Sequence, residues 1–185
     1  MPVASFLRPW AGFAFRHIPA GSPYDVLDFR FAGLAANNRW SYPGQPTLYL
    51  ASDPSVALAE FARHLRDDRS SNAAAGAVER ALFRLHVTIE EHLDLRNPAL
   101  LEELALHSAP TCFLDRTIAR AVAEYLRRTT PAQALLAPAM AFLDDPDRWI
   151  LVLFLEKLPM KPGRFVNSVQ SEGSFRVSLD PLNRP

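Results

Sequence analysis

Hydrophobic and polar side chains alternate most regularly over residues 80–89. One set of alternating positions consists of Ala81, Phe83, Leu85, Val87 and Ile89. The other set consists of Leu82, Arg84, His86 and Thr88, and three of these four are polar or charged. A period of two predicts a β-strand with one buried face. Shorter apolar or alternating runs predict further strands, which are 12–18 (ended by Pro19), 47–51, 132–138, 149–156 and a last strand at 175–179.

Helical spacing appears in the second half of the chain. Over residues 115–128 the apolar side chains recur three or four positions apart, as Ile118, Ala121, Val122, Tyr125 and Leu126 do, which predicts an amphipathic helix. Ser52, Asp53 and Pro54 form a typical helix start, so a second helix is predicted over 55–66. A short helix is predicted over 98–105.

Two segments are predicted to be loops. Residues 20–47 contain Gly, Pro and Asn at many positions and predict loops with little regular structure, and long structured loops often carry function. Residues 67–76 are small and polar and predict a mobile loop. Because strands and helices mix without a regular βαβ rhythm, the pattern indicates a compact α+β domain rather than a doubly wound sheet.

Composition narrows the functional classes. The chain has 185 residues, a length typical of one domain over 1–185, with 20 basic and 20 acidic side chains. Zero net charge argues against broad electrostatic capture of nucleic acid or of an anionic membrane. No apolar run approaches the roughly 20 residues that span a bilayer. The single cysteine, Cys112, has no internal disulfide partner, which fits the reducing cytoplasm.

Common catalytic signatures are missing from the sequence. There is no phosphate-binding P-loop and no Gly-x-Gly-x-x-Gly, and one cysteine cannot form a paired-cysteine zinc site. The five histidines are too scattered for metal-ligand spacing, so we expect no metal.

One block of residues is distinctive. Residues 38–60 read NRWSYPGQPTLYLASDPSVALAE, and this block resembles the RES domain family, named for Arg, Glu and Ser. The shared features are an Arg-Trp pair, a Gly, a Pro, a Tyr at the end of a strand, and a helix with Ala-Leu-x-Glu. Weaker similarity at Phe15-Arg16, 94–98, 135–139 and the strand from Trp149 extends the resemblance over about 12–156, and leaves 157–185 as a C-terminal extension.

The resemblance implies a fold, a substrate and a partner. RES domains are similar to ADP-ribosyltransferase toxins, which implies a split, mixed or antiparallel sheet with flanking helices. Most members are bacterial toxins that attack NAD, so the chain is expected to take NAD as substrate with no further cofactor. They are held by an Xre-type antitoxin that binds DNA, which implies a cytoplasmic hetero-oligomer in which this chain touches no nucleic acid or membrane.

Four residues of the motif are candidates for binding and catalysis. Cleavage of the nicotinamide–ribose bond builds positive charge on the sugar, and Glu60 is the carboxylate expected to stabilise it. Arg16 and Arg39 are expected to bind the pyrophosphate through paired hydrogen bonds. Tyr49 is expected to stack on the cationic nicotinamide ring. His17 is left out, because strand alternation turns it to the face opposite Arg16.

The family serine is replaced in this sequence. The family has a Pro-Ser pair where this sequence has Pro138-Ala139, so Ala139 replaces the serine. That serine would have held the ribose or the nicotinamide amide through a hydrogen bond. Either the chain is a natural variant with weakened activity, or an inactivating substitution was introduced because the toxin kills its host.

Several functions remain open at this point. The acceptor of the ADP-ribose group is water, phosphate or a protein side chain, and hydrolysis or phosphorolysis of free NAD is preferred because no target-recognition module is visible. The alternatives are a protein ADP-ribosyltransferase and a degenerate module that binds NAD or the antitoxin without turnover. A structural domain unrelated to nucleotides is a further alternative.

Overall fold

The computed structural model describes residues 2–67 and 78–177. None of the helices in residues 2–67 and 78–177 has the length and hydrophobicity of a membrane-spanning segment. In these residues six strands and three α-helices form the framework, with short 3-10 helices before the first strand and in the connections. In chain order the elements are β1 (Arg8–Pro19), β2 (Thr47–Ala51), α1 (Pro54–Asp67), β3 (Val78–Asp94), α2 (Pro98–Glu103), α3 (Arg116–Thr129), β4 (Ala134–Pro138), β5 (Trp149–Phe154) and β6 (Val166–Val177).

The strands form one mixed sheet that closes on itself. The order is β1-β2-β5-β4-β3-β6, and β3 also pairs with β1 along most of the length of β1. Only the β3–β4 pair is parallel among these strands. The closure between β1 and β2 consists of one residue pair, Phe15 with Ala51. Beyond that pair the two strands separate, which leaves an opening in the sheet.

Both faces of the sheet are buried at its centre. Leu135 and Val152 face a core shared with α1 and α3. Leu136 and Leu151 face a second core, which includes the apolar side chains of β3. Because β4 and β5 are covered on both sides, their sequences are continuous apolar runs, as buried strands require.

The α+β architecture expected from the sequence is confirmed, and most elements lie where the pattern places them. β6 differs, since it begins at residue 166 although a strand was predicted only from 175. Its residues are mostly exposed and polar, and it is held at the sheet edge by backbone pairing with β3. Such an edge strand has no hydrophobic period to reveal it. The loop predicted over 67–76 lies almost wholly outside the described residues, as do the last residues of the strand predicted over 175–179.

Candidate functional site

The opening between β1 and β2 is a cavity of about 520 Å³, which we call the first cavity. Its walls are residues 15–19 of β1, residues 47–51 of β2 and part of the loop that joins these strands. A second cavity of about 330 Å³ adjoins it on the side of α1. The two share several lining residues, so we refer to them together as the cleft. The shared residues are His17, Asn38, Tyr49, Glu60, Arg80 and Ile150.

Helix α1 carries Glu60 to the junction of the two cavities. The helix begins after Asp53, whose Oδ1 accepts hydrogen bonds from the backbone N–H groups of Ser55 (2.8 Å) and Val56 (3.1 Å). Such a cap stabilises a helix start by about 1 kcal/mol. Glu60 follows in the second turn, on the side of the helix that faces the sheet.

The Glu60 carboxylate is half-buried and held by the peptide backbone. Its Oε1 accepts a 2.7 Å hydrogen bond from the N–H of Ala141, just beyond β4. Burial raises the pKa of Glu60, and the N–H groups of Ala141 and Met140 and the positive charges of Arg63 and Arg39 oppose that rise. The arrangement therefore presents a fixed carboxylate, close to two cations, at the wall of the cleft.

Tyr49 lines both cavities, and its hydroxyl group contacts the preceding loop. The phenol oxygen lies 3.0 Å from the hydroxyl of Ser41 and accepts a hydrogen bond from the backbone N–H of Trp40 at 3.3 Å. Burial raises the pKa of Tyr49 to about 12. The hydroxyl therefore stays protonated at neutral pH and anchors the loop, and the ring forms part of the cleft wall.

The two arginines predicted to bind phosphate lie in different cavities and contact backbone carbonyl groups. Arg39 lines the second cavity, and its Nη1 donates to the carbonyls of Phe113 (2.7 Å) and Leu114 (2.9 Å). Arg16 lines the first cavity, donates to the carbonyl of Val26 and stacks over Phe29. Burial is the main cause that lowers the pKa of Arg16 to about 10.

Ala139 lies in the turn after β4 and is fully buried. It lines neither cavity, although its neighbours Pro138 and Met140 line the second. Its own N–H donates to the carbonyl of Arg148 at 3.0 Å. The position of the missing serine is thus next to the backbone groups that hold Glu60, and its side chain points into the core.

His17, which was left out of the candidate site, lies at the cleft in the structure. The alternation along β1 holds, since Arg16 packs on Phe29 of the loop whereas His17 packs on Phe61 of α1. His17 and Glu60 each line both cavities. The strand alternation places His17 on the face opposite Arg16, and in the structure that face also borders the cleft.

Two further cleft residues were missed. Arg80, at the start of β3, lines both cavities, and Arg63, one turn after Glu60, lines the second. Neither stands in the family motif. In the sequence, Arg80 is only a charged residue in a strand whose other face is apolar. This pattern is too common in proteins to identify a site.

A closed mixed sheet with several arginines and carboxylates around an opening defines an α+β domain with a cleft lined in part by charged side chains. The profile of the RES domain matches residues 14–173, so this chain belongs to the RES domain family. A chain in the crystal structure of the M. tuberculosis MbcT-MbcA toxin-antitoxin complex shares the fold, with a TM-score of 0.60 and 20% sequence identity. The match covers 93% of this chain and 87% of that chain. No curated protein matches the sequence significantly.

Proposed function

We propose that this chain is a toxin that consumes NAD by cleaving the bond between nicotinamide and ribose. The observation that carries the proposal is the Glu60 carboxylate, held by the N–H of Ala141 at the junction of the two cavities. Each cavity has a volume in the range of small-molecule sites, and because the two adjoin, they offer space for a dinucleotide. Membership of the RES family supports NAD as the substrate.

The charge that the site must stabilise during the reaction develops on the ribose. As the C1′–N1 bond breaks, its electron pair passes to the nicotinamide ring, which becomes neutral, and positive charge develops on the sugar. The Glu60 carboxylate stabilises that charge without moving, because its hydrogen bond to Ala141 already fixes its position. Water then forms the new C1′–O bond and loses a proton, or phosphate forms that bond directly.

The neighbouring cations keep Glu60 in the form that the reaction requires. Burial raises the pKa of the carboxyl group, and Arg63 and Arg39 lower it. An ionised carboxylate stabilises a cationic sugar, whereas a protonated one does not. The arginines therefore support catalysis through Glu60, and the aromatic face of Tyr49 offers a surface for the nicotinamide ring.

A protein acceptor would make the same site an ADP-ribosyltransferase. The bond-breaking step is identical, so the residues of the cleft do not distinguish the two reactions. We prefer free NAD degradation, because that reaction requires no recognition surface beyond the cleft.

A second candidate function is a binding module without turnover. Ala139 supports it, since a methyl group stands where the family has a hydroxyl, next to the backbone that holds Glu60. Substituting serine for Ala139 separates the candidates. An attenuated enzyme gains nicotinamide release in Ala139→Ser, whereas a module binds NAD and releases none in either form.

The proposed partner is an Xre-type antitoxin in the bacterial cytoplasm. The structural neighbour is part of a toxin-antitoxin complex, which supports an antitoxin partner. The Xre type is what the family resemblance implies. An antitoxin segment that covers the cleft would exclude NAD. Any contact with DNA would then belong to the antitoxin.

The test is nicotinamide release from NAD by the purified full chain, with and without phosphate. Glu60→Gln should reduce the rate by roughly 10²–10³-fold, the usual effect of removing a preorganised electrostatic group. Glu102→Gln, an exposed glutamate on α2, is the matched control and should leave the rate unchanged. Equal rates for the Glu60 variant and the wild type would refute the role of Glu60. Release of nicotinamide by neither the wild type nor Ala139→Ser would refute the enzymatic function.

A further inference from the structure

Arg80 differs from Arg16 and Arg39 in what its side chain contacts. Arg16 and Arg39 each direct Nη1 to backbone carbonyl groups and so hold loop segments in place. Arg80 instead donates from Nε to Nδ1 of His17 at 3.1 Å. Its guanidinium carbon lies 4.7 Å from the centre of the Phe61 ring. The group is thus fixed between β1 and α1, with the two terminal nitrogens not used in these contacts.

The positive charge of Arg80 is not neutralised by a carboxylate in the part of the chain that the structure describes. Burial alone lowers its pKa to about 10, with no acidic group opposing the shift. A half-buried cation without an acidic partner is costly, because its hydration is lost without compensation. Such a group in the wall of a cavity is typical of an anion-binding site.

A second cation lies close by. The charge of Arg80 is one of the causes that lower the pKa of Arg16, although Asp28 and Asp25 partly compensate Arg16. Both arginines line the first cavity, and the carboxylates of Asp25, Asp28 and Glu60 line it too. Asp28 and Asp25 partly offset the charge of Arg16, whereas no acidic group opposes the effect of burial on the pKa of Arg80. Arg80 is therefore the cation of this cavity best placed to bind an anion such as a pyrophosphate.

We propose that Arg80 binds the pyrophosphate of the dinucleotide in the first cavity and that His17 is the positioning residue that orients its guanidinium. This inference rests on the proposed function for the identity of the dinucleotide. The stacked and hydrogen-bonded guanidinium presents Nη1 and Nη2 as a fork, the geometry that binds two phosphate oxygens in parallel. Arg16 supplies further positive charge from the other strand face.

His17 suits this positioning role because it remains neutral. Its pKa is lowered to about 3, chiefly by burial and then by the charge of Arg80. A neutral imidazole accepts through one nitrogen and donates through the other. Since Nδ1 accepts the hydrogen bond from Arg80, the ring proton is on Nε2. A protonated His17 would lose the acceptor and release Arg80.

Arg84 shows what a purely structural arginine looks like on the same strand. It lies four residues further along β3 and stacks over Phe13 at 4.9 Å, as Arg80 stacks over Phe61. Its Nη2, however, donates to Gln170 at 2.6 Å, and its Nε lies 3.1 Å from a carboxylate oxygen of Glu172. Arg84 lines neither cavity of the cleft and therefore serves as the matched control.

The experiment measures binding of inorganic pyrophosphate, ADP-ribose and nicotinamide riboside to the full chain by calorimetry. Arg80→Gln should raise the Kd of pyrophosphate and ADP-ribose by about ten- to a hundredfold, the usual loss for a charge-assisted hydrogen bond. The Kd of nicotinamide riboside, which has no pyrophosphate, should not change. Arg84→Gln should match the wild type with every probe. Arg80→Lys keeps the charge without the fork and should lie between the wild type and Arg80→Gln.

The role of His17 is tested through its dependence on Arg80. His17→Phe should weaken pyrophosphate binding, and His17→Gln, whose amide oxygen accepts a hydrogen bond, should restore part of it. In the Arg80→Gln background neither substitution should matter, so the double-mutant cycle should be strongly non-additive. Additive effects would overturn the positioning role. For nicotinamide release, Arg80→Gln should raise KM far more than it lowers kcat.

The outcomes separate this inference from the proposed function. Loss of pyrophosphate binding in Arg80→Gln without any nicotinamide release by wild type or Ala139→Ser would support the anion site and refute the NAD-cleaving enzyme. A second outcome is that nicotinamide release depends on Glu60, whereas Arg80→Gln binds pyrophosphate and ADP-ribose as the wild type does. This outcome would refute the role of Arg80 and leave the NAD-cleaving function supported. The melting temperature of each variant is measured as a control for folding and should be close to that of the wild type.

Discussion

The phenol oxygen of Tyr49 lies 3.0 Å from the hydroxyl oxygen of Ser41, across the space between β2 and the loop that precedes it. The same phenol oxygen accepts a hydrogen bond from the backbone N–H of Trp40. Arg39 immediately precedes Trp40, so the hydrogen bond from Trp40 to Tyr49 fixes the backbone next to Arg39. The side chain of Arg39 is fixed by its hydrogen bonds to the carbonyls of Phe113 and Leu114. The tyrosine hydroxyl thus connects the cleft wall to the loop that carries Arg39.

Tyr49→Phe separates the hydroxyl group of this residue from its ring. Removing the hydroxyl should lower the free energy of unfolding by about 1 kcal/mol, because two hydrogen bonds to the loop are lost. If the ring stacks on nicotinamide, Tyr49→Phe should keep most of the nicotinamide release, whereas Tyr49→Ala should lose it. Urea unfolding and nicotinamide release measure the two effects.

The control for this comparison is Tyr125→Phe, a half-exposed tyrosine on α3 that lies outside the cleft. Its stability and activity should match the wild type. Equal activity in Tyr49→Phe and Tyr49→Ala would show that the ring has no role in binding.

Arg63→Gln should change the pH dependence of the reaction. The positive charge of Arg63 lowers the pKa of Glu60, so its removal lets burial raise that pKa further. The acidic limb of the rate profile should then move to higher pH, because Glu60 must be ionised to stabilise the sugar cation. Nη1 of Arg63 is buried and has no hydrogen-bond partner among the described residues, so the substitution breaks no hydrogen bond at that atom.

Arg63→Lys retains the charge and should leave the acidic limb near its original position. Arg128→Gln, on the exposed side of α3, controls for the loss of a positive charge elsewhere. An unchanged acidic limb in Arg63→Gln would mean that Glu60 does not set it.

His17 should make the protein less stable in mild acid. Its pKa is about 3 in the folded state, against an ordinary value of 6.5. The unfolded chain therefore binds a proton in the window between these values and the folded chain does not. The contribution of a neutral His17 to stability is complete above pH 6.5 and is lost as the pH falls, with a slope approaching about 1.4 kcal/mol per pH unit.

Urea unfolding of the wild type and of His17→Gln at pH 7.5 and pH 4.5 measures this linkage. The wild type should lose on the order of 2 kcal/mol more than the variant between these values. The raised pKa of Glu60 acts in the opposite direction in both proteins, so it cancels in the comparison. His107→Gln, at an exposed position, is the control. Parallel losses in the wild type and His17→Gln would contradict a buried neutral His17.

Sequence patterns predicted the elements whose burial is periodic and missed what depends on tertiary neighbours. β4 and β5 are visible as apolar runs because both of their faces are covered. β6 was mostly missed, because an exposed edge strand pairs through its backbone and carries polar side chains. The motif identified Glu60 and Tyr49 as candidate site residues. It did not show that Arg39 is directed to two carbonyls or that Arg80 contacts His17, because these contacts depend on how distant segments approach each other.

Gly33 should be far less tolerant of substitution than Gly44, although both glycines have the same φ of +88°. A Cβ at Gly33 would lie 1.9 Å from the carbonyl oxygen of Gln45, whereas a Cβ at Gly44 would meet nothing within 4 Å. Gly44→Ala should therefore cost about 1 kcal/mol for the left-handed backbone, and Gly33→Ala roughly 3 kcal/mol or more, because the loop must also move. Gly33 lines the first cavity, so Gly33→Ala should also weaken pyrophosphate binding. Urea unfolding and calorimetry of both variants test this, and equal stability losses would show that the close approach of Gly33 to Gln45 does not constrain the loop.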